Sequence, residues 1–264
     1  MNKIVVNREL IESKNIDSAI DVMLTPKKSL FDISIITISV NEDTTLYLDI
    51  NTDTTKLKID FNVLSNINFK LYINVIGSDS KIRYAYNIDE NSLVSVIKYN
   101  RVDNIKEMVE VNLNGINANI DYLFKSICTS KELYDYMIMH NTKNTVSNIK
   151  NNLVNVSGTS SIQISSSVDK GITDCTCNQF NRIINLTNNK CEIRPILYID
   201  NDLVDANHSA LIGDFEEDEL FYLESRGIDK SNAYNLLIKG FLNSGIDDED
   251  LKKKIEDDLN TYRR

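Results

Sequence analysis

The feature that most constrains this chain is a rhythm of short alternating segments that hardly pauses. Leu57, Ile59, Phe61 and Val63 alternate with Lys58, Asp60 and Asn62, and Ile67, Phe69, Leu71, Ile73 and Val75 repeat the pattern. Successive strand side chains point to opposite faces, so a sustained period of two marks strands with one buried face. Upstream, Phe31, Ile33 and Ile35 give way to Ile36, Ile38 and Val40, a phase slip that predicts a bend or bulge. Between Tyr99 and Ile199 strand-like segments recur at intervals of roughly ten to twelve residues, separated by small polar turns. Either an antiparallel sandwich or barrel, or a solenoid, gives such spacing. Two-residue hairpin turns of the Asn-Gly kind are nearly missing, with one case at Asn114-Gly115, and Ser- and Asn-rich runs such as Ser157–Ser167 suit stacked corners. The pattern favours a mainly β protein built as a parallel β-helix.

The ends read differently. Leu10, Ile11, Ile16, Ala19, Ile20 and Met23 sit at rough helical spacing with Asp17 as a cap, which predicts a helical lead-in within residues 1–26. The β core is expected over 27–213. After Gly213, Asp214 is placed to cap a helix whose first turn is acidic, Glu216 to Glu219, and which closes at Arg226-Gly227. A second helix starts at Asp229 or Ser231 and runs through Leu236, Leu237, Ile238 and Phe241, and a third, highly charged and frayed, completes a helical subdomain over 214–264.

Of the 264 residues 42% are apolar, enough for a real core, and the formal charge of -10 argues against a nucleic-acid partner, which needs clustered Lys and Arg. No run approaches the ~20 apolar residues of a membrane span, and Met1 to Leu10 lacks the apolar core of a signal peptide, so a cytoplasmic location is expected. No phosphate-binding Gly-x-x-x-x-Gly-Lys-[Ser/Thr] loop occurs, and two histidines leave few options for a hydrolase, so no enzymatic activity is expected. Four cysteines stand at 128, 175, 177 and 191, three of them close in sequence. Such a grouping in a reducing compartment suits metal binding or reactive thiols, although buried structural cysteine is the ordinary reading of any single one.

The stretch from Arg194 to Leu242 resembles the C-terminal signature of the SufB/SufD family of iron–sulfur assembly proteins. The resemblance is carried by Pro195, Ile199, Asn201, Asp202, Val204, His208, Ala210, Gly213, Leu220, Phe221, Tyr222, Ser225, Arg226, Gly227 and Ile228. Upstream, His140 to Ser147 is similar to the family's His-x-x-x-x-Thr-x-Ser segment, and the likeness extends over roughly residues 100–245. It implies a right-handed parallel β-helix that dimerises through its last coils, binds a SufC-like ABC-type ATPase through its C-terminal helices, and builds a transient iron–sulfur cluster, expected to be [4Fe-4S]. The short chain resembles minimal members that work as homodimers.

The resemblance also places the family's interface histidine at His208. The thiol important in SufB falls near Gln179 or Phe180, and Ser209 replaces the glutamate that follows the SufB histidine. Cys177, Cys191 and His208, spaced by about 14 and 17 residues, could sit on neighbouring coils, with Cys175 on the same strand face as Cys177. Thiolates and occasional histidine are the usual cluster ligands, so Cys177, Cys191 and His208, with Cys175, are the candidate binding residues. His140 reads as structural. Phe221, Tyr222, Leu223, Arg226, Leu237 and Phe241 form the expected ATPase-docking face. The rival reading is a SufD-like adaptor without a cluster of its own.

Overall fold

The computed structural model describes residues 1–7, 10–25, 33–53 and 56–262. It is a β-solenoid of about 7 turns with three helices near the C-terminus. The strands are β1 (Asn2–Asn7), β2 (Leu10–Lys14), β3 (Ile20–Thr25), β4 (Ser34–Val40), β5 (Thr44–Asp53), β6 (Lys56–Val63), β7 (Asn68–Ile88), β8 (Leu93–Leu113), β9 (Asn119–Cys128), β10 (Lys131–His140), β11 (Val146–Asn155), β12 (Thr159–Val168), β13 (Cys175–Asn185), β14 (Cys191–Ile199) and β15 (Val204–Gly213). They form two parallel stacks. One contains β1, β5, the first halves of β7 and β8, then β9, β11, β13 and β15. The other contains β4, β6, the second halves of β7 and β8, then β10, β12 and β14.

Each strand turns its alternate side chains into the space between the stacks, where neighbouring coils place them in columns. One column runs Leu46, Leu71, Val96, Tyr122, Ile149, Gln179, His208. Aromatic contacts bind the layers, with Phe61 stacked on Tyr86 at 4.9 Å and Tyr122 edge-on to Tyr136 at 5.8 Å. Many of the asparagines that crowd the sequence serve the corners and outer faces, while Asn100, Asn151 and Asn181 are buried. Asn66, Asn91, Asn117 and Asn144 all adopt φ near +60°, which Asn tolerates better than most residues. Amide ladders climb the outside, from Asn112 to Asn87 at 3.0 Å and on to Asn62 at 2.9 Å.

The N-terminal end departs from the expected helical lead-in. Its described residues are strands: β2 lies antiparallel on β1, and β3 antiparallel on β4. The spacing of Ile11, Ile16, Ala19 and Ile20 fits two short strands about a turn as well as a helix, and Asn15 at φ 52° makes that turn. Pairing with a preformed edge decides the outcome, because strand preference is largely a matter of context. Of the predicted phase slip, Phe31 lies outside the described residues, and β4 presents the single inward set Ile36, Ile38 and Val40.

The helices are α1 (Glu217–Glu224), α2 (Lys230–Asn243) and α3 (Glu249–Thr261). Glu216, not Asp214, caps α1 through a reciprocal capping box with Glu219, and Gly227 at φ 84° allows the chain to leave it. Asp229 caps α2 and Asp248 caps α3. The expectation that the third helix frays is wrong. Leu251, Ile255 and Leu259 fall on one face and are buried against the outside of the first stack with Tyr72 and Tyr99. Polar contacts fix it further: Tyr99 Oη donates to Asp258 at 2.9 Å, Tyr72 Oη to Asp247 at 2.7 Å and Tyr47 Oη to Asp248 at 3.2 Å. From β15, therefore, the chain doubles back over the coils it has made.

Candidate functional site

The solenoid is covered at its beginning and open at its end. Among the described residues β15 pairs only with β13 and β14 only with β12, so both carry an unpaired edge. Tyr198, Leu203, Leu211 and Ile212 are exposed there. His208 occupies the inward row of β15, but nothing follows to cover it, so it is exposed. Directly beneath it is Gln179, fully buried, whose Nε2 donates to Ser166 Oγ at 2.8 Å and to the Ile196 carbonyl at 3.2 Å. The Gln179 Oε1 has no partner, which leaves a free acceptor one rung below the imidazole.

The four thiols divide between two corners. Cys175 and Cys177 begin β13 and are buried beneath Val204 and Ala206. They join a polar knot built by the His140–Ser147 segment. His140 Nδ1 lies 2.7 Å from Thr145 Oγ1, its Nε2 lies 2.9 Å from Ser147 Oγ and 3.3 Å from Cys177 Sγ, and Thr145 Oγ1 lies 3.2 Å from Cys175 Sγ. Burial holds the His140 pKa down to about 4, so the ring is neutral at pH 7. Burial first, then Cys175 and Asp205, push the Cys177 thiol up to about 12. The structural reading of His140 thus fits its setting.

Cys191 opens β14 at the opposite corner, half-buried, with Asn155 Nδ2 donating to its sulfur at 3.3 Å; burial raises its pKa. The same Asn155 amide donates to Asn185 Oδ1 at 2.8 Å, which locates Cys191 at the far end of β13 from Cys177. Eight residues of strand, ~26 Å, separate those ends. Cys177, Cys191 and His208 consequently do not form one ligand set within a chain, and no group of three His, Cys, Asp or Glu side chains suited to a metal occurs among the described residues. Sequence spacing allowed neighbouring coils, but in a flattened coil the start and end of a strand face opposite corners.

Behind Cys191 lies a polar interior that the sequence reading missed. Glu132 is buried, accepts from Ser126 Oγ at 2.6 Å and has its pKa raised to about 7 by burial. Deeper still, Lys98 and Glu107 form an ion pair with both side chains fully buried. A signal existed: Lys98 follows Val94 and Val96 in the inward alternation.

Among the expected docking residues, Phe221 and Tyr222 of α1 are exposed at 68% and 59%, with the Arg226 guanidinium 5.3 Å from the Tyr222 ring centre. Leu223 is half-buried. Leu237 and Phe241 instead turn inward to pack with Phe215 against the solenoid. Beside them runs a groove of about 600 Å³ between α2 and the outer faces of β11, β13 and β15.

An open-ended parallel β-solenoid with a histidine on its last rung and helices folded back along it is the class of protein these observations define. The family model described as "SUF system FeS cluster assembly, SufBD core domain" matches residues 81–241. The chain belongs to the SufBD family. Relatives include iron–sulfur cluster assembly proteins SufD of Bacillus subtilis, 35% identical over 92 residues (33% of this chain), of Plasmodium berghei, 38% over 76 (28%), and of Escherichia coli, 34% over 67 (24%). These matches span 21%, 6% and 16% of the respective relatives. Among the described residues no helix is long and apolar enough to cross a membrane.

Proposed function

We propose that this protein is a non-enzymatic scaffold on which an iron–sulfur cluster, its cargo, is built where two copies of the solenoid meet through their open ends. The observation that carries the reading is the exposed His208, seated in an inward row above buried Gln179 and flanked by two unpaired strand edges. Exposed edges invite pairing, and natural proteins usually blunt them. Here β14 is blunted by Pro195, which lacks an N–H, while β15 contains no proline or lysine and ends only at Gly213. A second chain therefore adds to β15, covering Ile212.

Each copy brings His208 and the half-buried Cys191 thiol to that end. A thiolate is needed for ligation, and burial disfavours it, so loading requires the last coil to loosen. A SufC-like ATPase on Phe221, Tyr222, Leu223 and Arg226 supplies that shift by binding the loosened state better. Four cysteines without disulfides suit a reducing compartment such as the cytoplasm. The test is anaerobic reconstitution with iron and sulfide, read by visible absorption and bound iron. His208→Ala and Cys191→Ser are expected to lower cluster content, while Cys177→Ser, removed from the edge, retains it. Parental content in both of the first two variants refutes the reading.

A second reading is a SufD-like adaptor that joins the ATPase to another scaffold chain. It is favoured by Gln179, which puts an amide rather than a thiol on the rung beneath His208. In that case the purified chain holds no cluster alone, and a cluster forms only when a separate scaffold chain is mixed with it.

A further inference from the structure

In a chain with a net charge of -10, the groove between α2 and the last coils is locally cationic. Lys125, Lys150 and Arg182 rise on the outer faces of β9, β11 and β13, where Lys125 is in register with Asn152 and Asn152 with Arg182. Arg182 and Lys150 line the groove, and Glu219 is the one acid that does. Arg182 is only loosely engaged by it, at 3.8 Å. Its guanidinium sits 5.6 Å from the ring centres of both Phe215 and Phe241, which hold the plane in place, yet its buried Nε has no hydrogen-bond partner. Lys150 is exposed and makes no hydrogen bond or ion pair with the described residues. Lys125 is committed to the Phe241 carbonyl at 3.0 Å, with its pKa pushed down to about 7 by burial and then by Lys150.

Most of the remaining wall is apolar, with Ser209 and Ser244 among its uncharged polar residues: Phe180, Leu211 and Leu236 are each more than two-fifths exposed, and all line the groove. A concave, largely apolar site of this size with a few convergent polar groups is the usual form of a small-ligand pocket. The unspent donors here are all of one sign, and a guanidinium with free N–H groups prefers a planar or tetrahedral oxyanion. We propose that this groove binds a small amphipathic organic anion, with Arg182 and Lys150 taking its carboxylate, sulfonate or phosphate and Phe180, Leu211 and Leu236 covering its flat apolar body.

The site is separate from the cluster chemistry proposed above, and its test needs neither cluster nor ATPase. The full chain is titrated with 8-anilinonaphthalene-1-sulfonate, read by fluorescence, beside its uncharged analogue N-phenyl-1-naphthylamine. Saturable binding of the sulfonate is expected. Arg182→Gln weakens it about tenfold and Lys150→Gln a few-fold, in line with loss of charge-assisted hydrogen bonds, with little change for the neutral analogue. Leu236→Glu, on an exposed position that leaves the core intact, weakens both probes. Phe221→Ala, on the α1 patch, changes neither, and each variant is checked for an unchanged far-ultraviolet spectrum. Sulfonate binding that survives Arg182→Gln and Leu236→Glu at parental affinity, or that is lost in Phe221→Ala, overturns the proposal.

Discussion

Replacing Lys98 by methionine tests the energetics of the solenoid interior. Lys98 and Glu107 are both fully buried, and the ammonium also lies 4.7 Å from the Tyr84 ring centre and 5.0 Å from that of Phe124. Glu107 has one further donor, Asn100 Nδ2 at 3.2 Å. Methionine fills the volume and keeps contact with both rings, so the main loss is the cation that compensates Glu107. Breaking a buried pair from one side costs about 3–5 kcal/mol, whereas replacing both partners by apolar groups is often neutral or better. With a urea slope near ~3 kcal/mol per M, the upper part of the common range, Lys98→Met should lower the midpoint by about 1 to 1.7 M. The Lys98→Met/Glu107→Met double variant should return near the parental midpoint. The assay is urea unfolding followed by circular dichroism and tyrosine fluorescence, whose agreement licenses the two-state treatment. A double variant as unstable as the single one, or a single variant within ~0.3 M of the parent, would falsify the assignment of the cost to an uncompensated Glu107.

Other outcomes follow from the same structure. Glu132 has its pKa raised from 4.5 to about 7, so the folded state binds the extra proton; stability is fullest below pH 4.5 and falls as pH rises through 7. Glu132→Gln should remove that slope and gain up to about 3 kcal/mol at pH 8, measured by urea unfolding across pH. Lys125, depressed to about 7, contributes oppositely, its destabilisation fading as pH rises from 7 towards 10.5, and Lys125→Met should flatten that limb in the same titration. Gly77 has φ +133°, and a Cβ there would lie 1.6 Å from the Thr52 carbonyl oxygen, so Gly77→Ala should cost at least ~2 kcal/mol in thermal or urea unfolding. Ile255→Ala empties a buried position on α3 at about 2–4 kcal/mol and should speed proteolytic cleavage within residues 247–262; an unchanged cleavage rate would count against a docked helix.

Alternation made the β core legible because each strand of a solenoid buries the same face, and Ile59, Phe61, Ile73 and Val75 announce that face without help from distant sequence. The N-terminal strands were not legible, since Ile11, Ile16 and Ala19 match either periodicity and only the β1 and β4 edges decide between them. The docking of α3 was written in Leu251, Ile255 and Leu259, but ten charged side chains among residues 247–258 masked a narrow apolar stripe. At the candidate site, motif likeness placed His208 on the last rung. It could not reveal that Cys177 and Cys191 mark opposite corners, because corner identity depends on coil width rather than residue count. The orphan Nε of Arg182 left no trace in sequence at all.

The doubling back of the helices has a mechanical consequence. In a stack where each coil touches only its neighbours, the terminal coil is the weakest member and peels first. Here the polypeptide leaving β15 is anchored again by Phe241 on Lys125 and, further on, by Asp258 on Tyr99 and Asp248 on Tyr47. The Tyr47 anchor is six coils from β15, ~29 Å along the axis. A detached β15 therefore stays tethered at both ends and rejoins at the high local concentration of a short loop. The last strand can thus open without letting the stack unravel. Any partner that lifts α3 would release that tether and change, from far away, how readily the last rung opens.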